Sequence, residues 1–185
     1  MPVSALLDAN VLYPAGLRDL LMQLAISGAY RARWTHHIHD EWIRNVIADR
    51  PDLEPERVRH VASLMDASLS DAHINGYEAL TDTLLLPDPK DRHVLAAAIV
   101  GGASVIVTNN AKDFPASALE PHGLVAMTAD AFLLGLHEES SATVLEAVRT
   151  VQSRLRKPPV TMPDYLARLE QLGLSETALV LRNNL

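Results

Sequence analysis

The sequence contains no cysteine among its 185 residues. Disulfide bonds and thiolate metal ligands are therefore excluded, so any bound metal must use oxygen or imidazole ligands. Long apolar runs are also missing, because the longest one, residues 94–107, is interrupted by two glycines and is too short to cross a bilayer. The start "MPVSALLDANVL" lacks the basic region of a signal peptide. We expect a cytoplasmic protein with no membrane contact.

Positive charge is scarce as well. Lysine and arginine total 16 against 23 acidic residues, for a net charge of −7, which argues against a general affinity for nucleic acid. The stretch 144–160 is an exception, because it carries a single acid and four cations, namely Arg149, Arg154, Arg156 and Lys157. We interpret these cations as a solvated face, with contact to RNA or to a protein partner as the alternative.

The length and the 48% hydrophobic content suit one domain with a real core and a small appendage. Segments 4–8, 31–35, 104–108 and 124–128 have the pattern of strands, and amphipathic segments between them have the spacing of helices. This alternation predicts an α/β domain over residues 1–138, with a central parallel sheet flanked by helices. Residues 139–185 are expected to form a helical C-terminal extension, which packs on the body or on a partner through its apolar residues Tyr165, Leu166, Leu169 and Leu172.

Acidic residues stand where this fold would bring the ends of several elements together. Asp8 follows the first strand, Asp113 follows "SVIVT", and Asp88 and Asp91 open the helix that leads into that strand. Glu41 lies early in the helix after the second strand. Because ligands of parallel sheets bind outside the carboxyl ends of the strands, we expect these carboxylates to lie at one edge.

Carboxylates gathered in this way repel one another unless they take up protons or bind a cation. An all-oxygen ligand set without histidine spacing suits Mg²⁺ or Mn²⁺. Such an ion activates a water molecule and shields a phosphate, which would let an acidic protein bind an anionic substrate.

Four segments in order, "LLDANVL", "HDEW", "DPKDRHVLAAA" and "VIVTNNAKDF", resemble the PIN-domain nucleases, and most closely the VapC-like toxin ribonucleases of type II toxin–antitoxin systems. The resemblance covers residues 3–130. It implies a Mg²⁺- or Mn²⁺-dependent endoribonuclease in which Asp8, Asp91 and Asp113 hold the metal and Glu41 completes the catalytic set. It also implies an RNA substrate, a cognate antitoxin and a homodimer.

Other polar residues near this edge are expected to orient the carboxylates or a water, namely Asn10, Asp88, Thr108 and Asn109. For Asp88 we prefer the role of helix N-cap. Relatives often carry a further Asp where this sequence has Asn109 and Asn110, so the number of metal ions stays open. The histidines of "HHIH" at positions 36, 37 and 39 are expected at the surface.

Two other classes of protein remain open. A non-catalytic PIN-like module would bind RNA or a partner without binding metal. A haloacid-dehalogenase-like phosphatase also begins with a strand-end Asp, but it would need a second Asp at position 10, where this sequence has Asn. A nucleotide-binding glycine loop is missing. The acids themselves could instead be local turn or capping residues.

Overall fold

A computed structural model describes residues 2–185, so residue 1, at which the expected first domain begins, lies outside it. The described residues contain a four-stranded, wholly parallel sheet in the order β2-β1-β3-β4. The strands are β1 (Ser4–Leu7), β2 (Arg31–Arg33), β3 (Val105–Val107) and β4 (Val125–Met127). Leu6 of β1 lies between Arg33 and Ile106 in the register. The predicted α/β fold with a parallel sheet is confirmed.

Helices connect the strands and flank the sheet, as is usual because parallel strands need long crossover connections. In chain order they are α1 (Ala9–Leu12), α2 (Ala15–Ile26), α3 (His36–Asp49), α4 (Pro55–Ser68), α5 (Glu78–Thr81), α6 (Arg92–Val100) and α7 (Ala116–Leu119). The short α1 is absent from the sequence prediction. It begins at once after β1 because the Asp8 side chain accepts the first free backbone N–H, from Ala9.

The helix that Asp88 and Asp91 are expected to open begins only after both of them. Residues Pro89–Asp91 form a single 3₁₀ turn, and α6 starts at Arg92. Proline fixes its own backbone for this turn, and the Asp88 carboxylate accepts the Lys90 N–H at 2.9 Å. Asp91 is thereby placed as the residue immediately before α6.

The chain after β4 is helical, as expected. It contains α8 (Ala129–Glu139), α9 (Ser141–Arg154), α10 (Met162–Gln171) and α11 (Ser175–Arg182). Tyr165, Leu166 and Leu169 are buried in the common core, so α10 packs on the body of the same chain. Asp130 caps α11 across the fold, since its carboxylate accepts the N–H groups of Glu176 and Thr177 at 3.0 and 2.9 Å.

The expectation that all three histidines of "HHIH" lie at the surface is wrong for His39. This side chain is 2% exposed, accepts the Trp42 indole N–H at 2.9 Å and lies 3.3 Å from Asp66. The reason is helical spacing, because residues 39 and 42 share the inner face of α3. No helix in the range 2–185 is long and apolar enough to cross a membrane.

Candidate metal centre at the carboxyl edge of the sheet

Asp8 lies directly after β1 and is only 7% exposed. Its Oδ1 accepts the Ala9 N–H at 2.7 Å, and its Oδ2 accepts the Thr108 hydroxyl at 2.7 Å and the Asn10 amide at 3.0 Å. Burial raises the pKa of Asp8, and the three hydrogen bonds oppose that rise. A carboxylate offers about four acceptor positions, so this anchored group can still bind a further partner.

Hydrogen bonds also join the start of α1 to the loop after β3. The Asn10 side-chain oxygen accepts the Asn109 N–H at 3.0 Å, and the Asn109 amide donates to the Asn10 carbonyl at 3.4 Å. The Thr108 hydroxyl accepts from the Asn10 amide and from the Asn110 N–H, each at 3.1 Å. The polar residues predicted beside the acids therefore tie the start of α1 and the loop after β3 into one unit around Asp8.

Asp91 shows that the carboxylates are close enough to interact. Burial raises the pKa of Asp91 to about 6, together with the negative charges of Asp8, Asp88, Asp113 and Glu41. Each of these acids comes from a different place in the chain, apart from Asp88 and Asp91. The fold thus concentrates negative charge at this edge, as the sequence analysis expects.

Glu41 lies in the second turn of α3 and is half-buried. Burial and the charge of Asp8 raise the pKa of Glu41, while His37 and Arg44 act in the opposite direction. Glu41 therefore interacts through charge with the other acids of this edge, and α3 places it there from the β2 side of the sheet.

His93, in the first turn of α6, is a neighbour that sequence reasoning missed. Its Nε2 lies 3.8 Å from Glu41 Oε2, and its ring stacks on exposed His37 with a centroid distance of 3.8 Å. Burial, assisted by His37, lowers the pKa of His93 to about 4, so this imidazole is neutral at pH 7. The signal in the sequence that could have identified His93 is its position two residues after Asp91.

Arg18 fixes the helices that carry these groups. Its guanidinium is buried, donates to the Leu12 carbonyl at 2.7 Å at the end of α1, and stacks over the Trp42 ring at 4.5 Å. Because Trp42 is on α3 next to Glu41, Arg18 links the helix that begins at Asp8 to the helix that carries Glu41.

The remaining two predicted acids differ in their surroundings. Asp113 ends a 3₁₀ turn after β3 and is partly buried, whereas Asp88 is exposed and acts as the N-cap expected of it. Among residues 2–185, no three carboxylate or imidazole groups are close enough together to enclose an ion at once. The acids therefore share an edge and interact through charge rather than forming a closed cage.

The PIN-domain family profile matches residues 4–112, which is more than half of the chain and includes β1, α3, α6 and β3. The chain therefore belongs to the PIN-domain family. A second profile, described as the VapC50 C-terminal domain, matches residues 129–183, from α8 to α11. The boundary expected between residues 138 and 139 stays a prediction.

The chain is also similar to a curated protein of Mycobacterium tuberculosis named "Putative ribonuclease VapC50", with 51% identity over 59 residues. The aligned part is 30% of this chain and 35% of the relative, so the match spans about a third of that protein's length. The resemblance to VapC-like PIN proteins is confirmed. No solved structure matches the chain.

Proposed function

We propose that the chain is a divalent-metal-dependent endoribonuclease and the toxin of a toxin–antitoxin pair. The observation that carries the proposal is the charge concentration at the carboxyl edge, where burial and four neighbouring carboxylates bring the pKa of Asp91 to about 6. Family membership and the ribonuclease name of the relative support the same function.

The residues present fit a hard cation. All five acids offer oxygen, and the anchored Asp8 has acceptor capacity left. Mg²⁺ keeps several water ligands and is commonly bound through only one or two carboxylates, so a closed cage of three is not required. When bound, the ion would neutralise phosphate charge and make water more acidic. We favour Mg²⁺, with Mn²⁺ as a substitute.

Each side chain has a proposed task. Asp8, Asp91 and Asp113 would hold the ion, directly or through its water ligands, and the hydrogen bonds from Thr108 and Asn10 would keep the Asp8 carboxylate in one orientation. Glu41 would accept a proton from the attacking water, because a raised pKa makes a carboxylate a better base. Neutral His93 beside it would leave Glu41 free of a full ion pair.

The direct test is cleavage of total RNA by the purified chain with Mg²⁺, with Mn²⁺ and with EDTA, followed by mapping of the new ends. We expect cleavage only with a divalent ion, and a loss of at least about 100-fold in the Asp8→Asn variant, since such an ion supplies several kcal/mol. Glu41→Gln should also lose activity. The matched control is Asp40→Asn, which changes the exposed acid next to Glu41 in the sequence and should keep full cleavage activity. Full cleavage by Asp8→Asn contradicts the proposal.

The two other classes make different predictions. A phosphatase would hydrolyse small phosphoesters in the absence of RNA. The position of its general acid is occupied by Asn10, whose side-chain amide donates hydrogen bonds to Asp8 and Thr108. A non-catalytic module would give no heat on titration with Mn²⁺. The proposed toxin would act in the cytoplasm and would be blocked by an antitoxin. We also propose that it is a homodimer, to be checked by its mass in solution.

A further inference from the structure

A basic cavity lies among the C-terminal helices. It has a volume of about 420 Å³ and is lined by four cations, Arg154, Arg156, Lys157 and Arg168, above apolar Leu155 and Val160. Within residues 2–185, none of the four cations forms a salt bridge. Four unpaired cations are therefore concentrated in one concave place on a chain whose net charge is −7.

The loop that carries this cavity is held in a defined shape. The Gln152 side chain at the end of α9 donates to the Val160 carbonyl at 2.6 Å, and the Val160 N–H donates to the Leu155 carbonyl at 3.1 Å. These bonds close residues 155–160 into a compact turn between α9 and α10. A shape fixed before binding lowers the entropy cost of capturing a ligand.

Two of the guanidinium groups are also anchored, and each keeps nitrogen atoms for a ligand. Arg156 donates through Nε to the Ser153 carbonyl at 3.0 Å, and Arg154 donates through one Nη to the Gln23 side chain at 2.8 Å. Asp19, an exposed acid whose charge interacts with Arg154, forms no salt bridge with it. The free N–H groups match the geometry of a phosphate, which guanidinium binds through paired hydrogen bonds.

We propose that this cavity binds backbone phosphates of an RNA strand, at a place distinct from the acidic edge. The proposal depends on the proposed ribonuclease function, because it assigns the same substrate to a second contact. It also offers a way for an acidic chain to hold RNA. The carboxyl edge repels phosphate until an ion is bound, whereas the basic cavity attracts it at all times.

Topology sets how far apart the two places lie. α2 leaves the carboxyl edge at Ala15 and runs back toward the start of β2, and Gln23, which contacts Arg154, lies near its far end. Eight residues of helix rise about 12 Å. At about 3.4 Å per stacked nucleotide, this rise corresponds to about four nucleotides of an RNA strand.

A structural alternative is that these cations only stabilise the C-terminal end of α9, where carbonyl groups carry partial negative charge. The two explanations predict different RNA affinities for variants that lack these cations. If the cations serve the helix alone, their loss lowers the melting temperature and leaves RNA affinity unchanged.

The test uses the full chain with Asp8→Asn, so that bound RNA stays intact, and a labelled single strand of about 16 nucleotides. Adding Arg156→Gln and Lys157→Gln should weaken binding at least about tenfold at low salt. It should also reduce the slope of log affinity against log salt by about 1.4, or ~0.7 for each lost phosphate contact.

The matched control removes two exposed arginines of α4, by Arg57→Gln and Arg59→Gln, and changes the net charge equally. The proposal is overturned if the cavity variant and this control bind RNA with equal affinity. It is also overturned if the cavity variant loses affinity only for an acidic peptide added as competitor, and keeps its affinity for RNA. The experiment measures RNA binding and not cleavage, so the two proposals can fail separately. If the chain binds RNA through the cavity but cleaves no RNA, the cavity proposal stands and the nuclease proposal fails. If the chain cleaves RNA but the cavity variant binds RNA as well as the control does, the nuclease proposal stands and the cavity proposal fails.

Discussion

Neutralising Asp91 should stabilise the metal-free protein while removing its activity. In the folded chain burial and four neighbouring carboxylates raise the pKa of Asp91 from 3.8 to about 6. Since one pKa unit corresponds to about 1.4 kcal/mol, a fully shielded group with this pKa would cost about 3 kcal/mol when ionised. Asp91 is partly exposed and water screens it, so we expect Asp91→Asn to raise the free energy of unfolding by about 1 kcal/mol.

The effect has a defined pH dependence. A raised folded-state pKa means that the native protein holds this proton more tightly than the unfolded chain does, so ionisation lowers stability as pH rises through about 6. The advantage of Asp91→Asn should therefore be complete at pH 8. It should shrink as pH falls below about 6 and vanish near the ordinary value of 3.8.

Urea unfolding in EDTA, followed through the fluorescence of buried Trp34 and Trp42, measures this difference. Glu138→Gln removes an exposed acid elsewhere and controls for the overall charge. Mn²⁺ should stabilise the wild type more than Asp91→Asn, because an ion bound only by the native state adds stability. The reasoning is refuted if Asp91→Asn in EDTA at pH 8 is no more stable than the wild type.

Substitutions at three further positions test other parts of the structure by urea unfolding. Thr108→Val removes a buried hydroxyl that donates to Asp8, so it should raise the pKa of Asp8 further and cost about 1–3 kcal/mol at pH 7; an unchanged stability would contradict the anchoring role. Asp130→Ala leaves the first turn of α11 uncapped and should cost about 2 kcal/mol, whereas Asp130→Asn should retain part of the cap. Leu169→Ala should cost about 2–5 kcal/mol if α10 belongs to the core, and much less if α10 is only an appendage.

The sequence predicted the parallel sheet and the alternation of strands and helices along the chain, because buried strands and amphipathic helices have distinct periodicities. It did not give the order of the strands within the sheet. It placed Asp8, Glu41, Asp91 and Asp113 toward one edge through a topological rule that holds for any parallel sheet. The wrong position of His39 has a local cause, since a polar residue at a core-facing helical position cannot be told from a surface one until its partners, Trp42 and Asp66, are known.

Other features depend on contacts between residues far apart in the chain, and periodicity does not report these. The stacking of His93 on His37 beside Glu41 is one case, and the capping of α11 by Asp130 is another. The basic stretch near residue 155 was visible in the sequence, but only the fold turns Arg154, Arg156, Lys157 and Arg168 into one cavity.

Titration calorimetry with Mn²⁺ tests the proposed metal centre most directly. The wild-type chain should bind the ion with measurable heat at pH 8, Asp8→Asn and Asp91→Asn should each bind at least about tenfold more weakly, and Glu138→Gln should match the wild type. Absence of heat with the wild type, or equal affinity in all four proteins, would contradict a divalent-ion site at the carboxyl edge of this sheet.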